Sequence, residues 1–127
     1  MVLIFGGAYN GKLDFAINFL NLNKSELVNG EDCSIEDFSY TRGIYNLHLL
    51  IKKLIDENIE NISDLLLDLI KKSNIEVIIS DELGMGIIPI DKKNRILREE
   101  NGRLLSELAA ISTCVYRVLY GIPQKLK

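Results

Sequence analysis

Two clusters in this chain have the residue types and spacing of nucleotide chemistry. The first is Gly6-Gly7-Ala8-Tyr9-Asn10-Gly11-Lys12-Leu13. Glycines at this spacing let successive backbone N–H groups turn inward around phosphate oxygens, and the lysine adds a mobile positive charge. The usual pattern closes on a serine or threonine whose hydroxyl reaches magnesium, and here that place is taken by Leu13. The stretch reads as a phosphate cradle that has lost its side-chain oxygen; a purely structural strand-to-helix turn is the alternative. The second cluster is Asp81-Glu82, which ends the apolar run Val77-Ile78-Ile79-Ser80. A phosphate loop needs such a strand end: the aspartate holds Mg2+, usually through water, and the glutamate polarises or deprotonates an attacking hydroxyl. Acidic residues also gather there simply because a strand emerges into a solvated loop. Tyr9 either stacks on a base or fills the cleft.

The elements that must position these residues follow from hydrophobic period. Val2-Leu3-Ile4-Phe5 suits a fully buried parallel strand, and Leu13, Ala16, Ile17 and Leu20 recur at helical spacing. The glycine-rich loop thus lies between a strand and a helix N-terminus, where the helix dipole favours anions. That helix is expected over 12–21. A short strand follows at 26–28, then a turn at Asn29-Gly30. Ser34-Ile35-Glu36-Asp37 resembles a capping box with one helical turn behind it. Residues 44–57 form the clearest amphipathic helix, with Ile44, Leu47, Ile51, Leu54 and Ile55 inside. Ser63 is expected to cap a helix over 64–72. A buried strand over 75–80, a glycine-rich loop over 81–91, a long helix over 92–111 and a last strand over 115–120 complete the chain. This alternation predicts an α/β, P-loop NTPase-like fold: one domain over 1–127, with a mostly parallel sheet covered by helices on both faces.

Composition bounds the rest. The 127 residues carry a net charge of −3, with no basic stripe of the kind that tracks a nucleic-acid backbone. Nucleic acid is therefore not an expected partner. Two cysteines, Cys33 and Cys114, and one histidine, His48, supply a zinc site poorly. No apolar run has the length of a membrane span, and a cytoplasmic location with reduced thiols is expected. The pairs Lys52-Lys53 and Lys71-Lys72 read as solvated faces, and Asp32, Glu36 and Asp37 as turn and cap residues. Exposed sheet edges make a homo-oligomer plausible.

Beyond the carboxylates, Asp81-Glu82-Leu83-Gly84-Met85-Gly86-Ile87-Ile88-Pro89 resembles a run found in the adenosylcobinamide kinase / adenosylcobinamide-phosphate guanylyltransferase family of cobalamin synthesis. The resemblance continues through Arg95, Arg98, Glu99, Gly102, Arg103, Leu108-Ala109-Ala110 and the tail Gly121-Ile122-Pro123-Gln124-Lys125-Leu126-Lys127, with the 6–12 loop at the front. It does not extend over about 21–76. It departs at Leu13, at Ile90 and at Leu105-Ser106.

The resemblance implies two transfers to a corrinoid side-chain hydroxyl, first of a phosphoryl group and then of a guanylyl group carried on a histidine. The family's histidine lies in a segment this chain lacks or has rebuilt, which leaves His48. At helical spacing between Ile44 and Ile51, His48 is either a half-buried helix residue with a hydrogen-bond partner or the guanylylated, nucleotide-contacting one. The expected site is thus Lys12, Glu82 and His48 as catalytic residues, Gly6 to Leu13 around a purine nucleotide (GTP or ATP), and Asp81 on Mg2+. The rival is a degenerate member that binds nucleotide, corrinoid or a protein partner and catalyses nothing.

Overall fold

The computed structural model describes residues 1–83 and 91–127. Residues 84–90, which include most of the predicted glycine-rich loop and Ile90, lie outside the described residues. Strand β1 (Val2–Gly6) is the core of the sheet, followed by helix α1 (Lys12–Leu20), β2 (Leu27–Asn29), β3 (Gly43–Tyr45), α2 (Leu47–Asp56), α3 (Ile62–Lys71), β4 (Val77–Asp81), α4 (Lys92–Ile111), β5 (Cys114–Leu119) and β6 (Ile122–Lys125). The strand order is β2-β3-β4-β1-β5-β6. The first five pair in parallel and β6 runs antiparallel against β5. The fold is therefore the expected α/β one, a mostly parallel sheet with helices on both faces.

Why the strands are apolar on both sides follows from the register. Leu3 lies beside Ile78 and Val115, and with Ile44 these side chains meet Leu47, Leu50, Ile51 and Leu54 of α2, Leu66 of α3, and Leu104 and Leu108 of α4. The alternate residues Ile4, Val77, Ile79 and Val118 turn to the other face and meet Ala16 of α1. Each such Leu or Ile contributes roughly 1.5–3 kcal/mol by leaving water, so the two-sided core is the main stabilising force. No helix among the described residues is long and apolar enough to cross a membrane.

Four details differ from the sequence reading. Residues 43–45 form strand β3, and α2 begins only at Leu47, because Ile44 continues the helical spacing of Leu47 and Ile51 and so disguises a three-residue strand. Helix α3 starts at Ile62, one residue ahead of the expected cap. Ser63 is in its first turn and fully buried, its backbone N–H donating to Glu100 Oε2 at 2.9 Å. A carboxylate from α4 thus satisfies an orphan N–H of the helix start in place of a capping hydroxyl. Strand β4 begins at Val77 and takes in Asp81 as its last residue. Finally, β6 was not anticipated: Tyr120 and Gly121 both have positive φ (51° and 74°), forming the two-residue turn that returns the chain onto β5. Pro123 is tolerated because β6 is an edge strand.

Candidate functional site

Parallel strands deliver their C-terminal ends to one edge of the sheet, and the candidate residues gather there. Gly6 of β1 lies beside Asp81 of β4, so the loop leaving β1 starts next to the carboxylate that ends β4. At two glycines of the loop a side chain would clash or strain the backbone. A Cβ at Gly6 would lie 2.4 Å from the Val118 carbonyl oxygen, and Gly11, the N-cap of α1, has φ +81°. The β5–β6 turn supports the loop from the far side, Gly121 N–H donating to the Asn10 carbonyl at 2.8 Å.

The loop, the first turn of α1, Tyr45, Asn46, His48 and Asp81 line a cleft of about 540 Å³. Lys12 is buried in it. Its ammonium donates to the Gly7 carbonyl at 2.7 Å and pairs with Asp81 Oδ1 at 2.8 Å. His48, in the first turn of α2, lies on the opposite side of the same carboxylate. Its Nε2 is 3.3 Å from Asp81 Oδ2, and its Nδ1 accepts the Asp81 backbone N–H at 3.2 Å. Burial is the largest influence on this imidazole and lowers its pKa; Asp81 opposes that and Lys12 adds to it. The net direction is down, so His48 is neutral at pH 7, with its proton on Nε2. It is the buried, hydrogen-bonded helix residue that its spacing suggested, yet it also belongs to the cleft.

The main chain of Asp81 is held from behind. Asn101, fully buried on α4, donates through Nδ2 to the Asp81 carbonyl at 3.2 Å, and Ser80 Oγ donates to Asn101 Oδ1 at 3.2 Å. Sequence reasoning missed Asn101, although a signal was present: it interrupts the apolar stripe Leu97, Leu104, Leu108 at helical spacing. Asn46, also missed, lines the cleft with φ 56° as the N-cap of α2 and bonds Asn29 Oδ1 at 3.1 Å.

Other expected residues are placed differently. Glu82 was expected to share the cleft with Asp81. Its carboxylate instead turns toward β5, where Arg117 holds it through two nitrogens, each at 3.1 Å, and Glu82 is not among the residues lining the cleft. Adjacent residues of an extended chain point to opposite faces, which separates the two carboxylates. Leu13 lines the cleft and also packs against the α1-side core. Tyr9 sits at the rim with its ring fully exposed, so it does not fill the cleft. Among the described residues no three His, Cys, Asp or Glu side chains cluster as a metal-binding group.

The family model for cobinamide kinase / cobinamide phosphate guanyltransferase matches residues 41–126, about two thirds of the chain. The chain belongs to that family. The matched stretch begins earlier than the resemblance read from the residues and takes in β3 and α2, hence His48, as well as Asp81, Glu82 and Asn101. The 6–13 loop precedes it, so the loop's membership of the site rests on the geometry above. No individually curated protein matches the chain. The family is one of transferases of cobalamin biosynthesis acting with nucleotides, and the cleft lies where an α/β sheet of this kind binds ligands, at the carboxyl ends of its strands.

Proposed function

We propose that this protein binds a purine nucleoside triphosphate, GTP or ATP, on the 6–12 loop and transfers its terminal phosphoryl group to the side-chain hydroxyl of a corrinoid. The observation that carries this reading is the meeting of Lys12 and Asp81 in one cleft at the start of α1, within a chain of the cobinamide kinase family. The backbone N–H groups of the loop and of the first turn of α1 face the phosphates, and the Lys12 ammonium exchanges Asp81 for phosphate oxygens and neutralises charge that develops during transfer. The corrinoid and the choice between GTP and ATP come from the family and not from the geometry.

Mg2+ suits the donors present. It takes oxygen ligands, keeps several waters and needs only one or two carboxylates besides substrate phosphates. Asp81 supplies one carboxylate in the cleft, and Asp14 lines the same cleft. Bound there, the ion would supply charge neutralisation on the phosphates. With Glu82 held by Arg117, activation of the acceptor hydroxyl rests on positioning, which the loose transition state of phosphoryl transfer permits. A second reading, a member that binds ligand and catalyses nothing, is favoured by one observation: Leu13 presents hydrocarbon to the cleft where an oxygen would serve.

Calorimetry against GTP and ATP, with and without Mg2+, tests binding, and transfer of a labelled γ-phosphoryl group to cobinamide tests catalysis. Lys12→Ala is expected to weaken nucleotide binding by roughly tenfold to a hundredfold, the worth of a charge-assisted contact of ~1.5–3 kcal/mol. Equal affinity of the two proteins would remove the phosphate-loop reading. Binding without any transfer would establish the non-catalytic one.

A further inference from the structure

We propose that Tyr9 and Tyr120 form a stacking platform for the purine base of the bound nucleotide. The inference rests on the proposed nucleotide site and names what holds the end of the ligand that the phosphate loop does not reach.

Strand order decides where that end lies. Strand β4, with Asp81, flanks β1 on one side, and β5 flanks it on the other. Loop amides of this kind cradle the inner phosphates while the lysine reaches the outer ones. Lys12 is paired with Asp81, so the terminal phosphate belongs on the β4 side. The nucleoside leaves from the opposite end of the triphosphate, over the loop and toward β5. What stands there is the apex of the loop, Tyr9-Asn10, and the β5–β6 turn, Tyr120-Gly121. The two turns are in contact: Gly121 N–H donates to the Asn10 carbonyl at 2.8 Å, and a Cβ on Gly11 would lie 3.3 Å from Gly121 Cα.

Both turns carry a tyrosine where folding has no use for one. Tyr9 is fully exposed and Tyr120 is 88% exposed, so neither ring stabilises the core. Both residues also have left-handed backbone, with φ of 59° and 51°. Glycine or asparagine adopts that conformation with less strain, and Asn-Gly is a preferred pair in a two-residue turn of the β5–β6 kind. Exposed rings on two joined, strained turns beside a phosphate cradle suit a flat π surface. Every base has such a face, and stacking on an aromatic ring is worth roughly fivefold to a hundredfold in affinity. The platform reads the area of the base rather than its edge, so it holds GTP and ATP alike. Tyr40, comparably exposed, lies at the other edge of the sheet ahead of β3 and serves as the control.

Calorimetry with inorganic tripolyphosphate, GTP and ATP, each with Mg2+, separates the base from the phosphates. In the double variant Tyr9→Asn, Tyr120→Asn, the ratio of nucleotide to tripolyphosphate affinity is expected to fall roughly fivefold or more, with tripolyphosphate affinity within about twofold of the wild type. Asparagine suits both turns, so the Tm of the unliganded variant is expected to match or exceed that of the wild type, which separates lost stacking from lost folding. Tyr9→Phe with Tyr120→Phe, which keeps the rings, is expected to keep the ratio, and so is Tyr40→Asn. An unchanged ratio in the asparagine variant would overturn the platform, whether neither ligand is affected or both weaken alike because the loop has lost its shape. A raised KM for cobinamide at unchanged nucleotide affinity would give the rings to the acceptor and overturn it too. Failure of the wild type to bind tripolyphosphate or either nucleotide would remove the phosphate loop and the platform together. Tripolyphosphate binding beside an unchanged ratio would remove the platform alone, so the two failures are distinguishable.

Discussion

The ammonium of Lys12 is already satisfied by Asp81 and by the Gly7 carbonyl, so a phosphate entering the loop competes with a carboxylate rather than meeting a bare cation. On the proposed reading, binding depends on what receives Asp81 when the lysine leaves it, and a divalent ion would be the natural successor. On that reading Leu13 sets the limit here, because it lines the cleft with hydrocarbon and offers that ion no oxygen. Leu13→Ser is expected to strengthen Mg2+-dependent nucleotide binding several-fold and to leave metal-free binding nearly unchanged, read by calorimetry in the two conditions. It also removes apolar contacts with the α1-side core, so a stability loss of about 1–2 kcal/mol accompanies the gain. An identical response with and without Mg2+ would show that the missing oxygen does not limit the metal. At this scale the meeting of Lys12 and Asp81 was legible, since the loop after one parallel strand and the end of its neighbour come together at one sheet edge. Arg117 and Asn101 were not: an arginine within a strand and an asparagine on a helix stripe acquire meaning only when β5 and α4 are placed beside β4.

Short elements are held by contacts far apart in sequence, and Arg42 shows how. Its guanidinium pairs with Glu26, just ahead of β2, and with Glu76, just ahead of β4, while its backbone bonds Glu26 O and Glu76 N. Three parallel strands are thereby fastened at their N-terminal ends. The Glu26 pKa is lowered first by the Asn23 backbone N–H and then by Arg42, and that of Glu76 first by Arg42; the Arg42 pKa is raised. Depressed carboxylate values mean stability that is present above their ordinary value of 4.5 and lost as pH falls through the folded value, with no alkaline counterpart because the arginine stays charged. In urea denaturation, Arg42→Leu is thus expected to be less stable than the wild type at pH 7, with the gap narrowing as the pH falls below 4.5. The effect is small because the groups are exposed. A gap independent of pH would mean that Arg42 acts by packing alone. Long elements with a clear period, α4 above all, were legible, whereas β3 and β6 were not. In β3, Ile44 continues the helical spacing of Leu47 and Ile51, and β6 exists because of a turn at Tyr120-Gly121 that a tyrosine does not advertise.

For the molecule as a whole, the central position of β1 matters most. Its loop is tied to β4 through Lys12 and Asp81 and to the β5–β6 turn through Asn10 and Gly121. A ligand on the loop therefore touches the middle of the sheet, and its binding energy adds to the stability of a single cooperative unit rather than of a loop. A ligand that binds only the folded state stabilises by RT ln(1 + [L]/Kd), ~2.7 kcal/mol at a hundredfold excess over Kd. For a domain of this size that corresponds to a rise in Tm on the order of 10 °C. Scanning calorimetry with Mg2+ and GTP or ATP at that excess is expected to show this rise in the wild type, and at the same nucleotide concentration a much smaller one in Lys12→Ala. Hydrogen exchange should slow in β4 and β5 together with β1. Protection confined to the 6–13 loop, with no change in Tm, would show that the loop closes on nucleotide without engaging the sheet, and the coupling drawn through Asp81 and Gly121 would then be wrong.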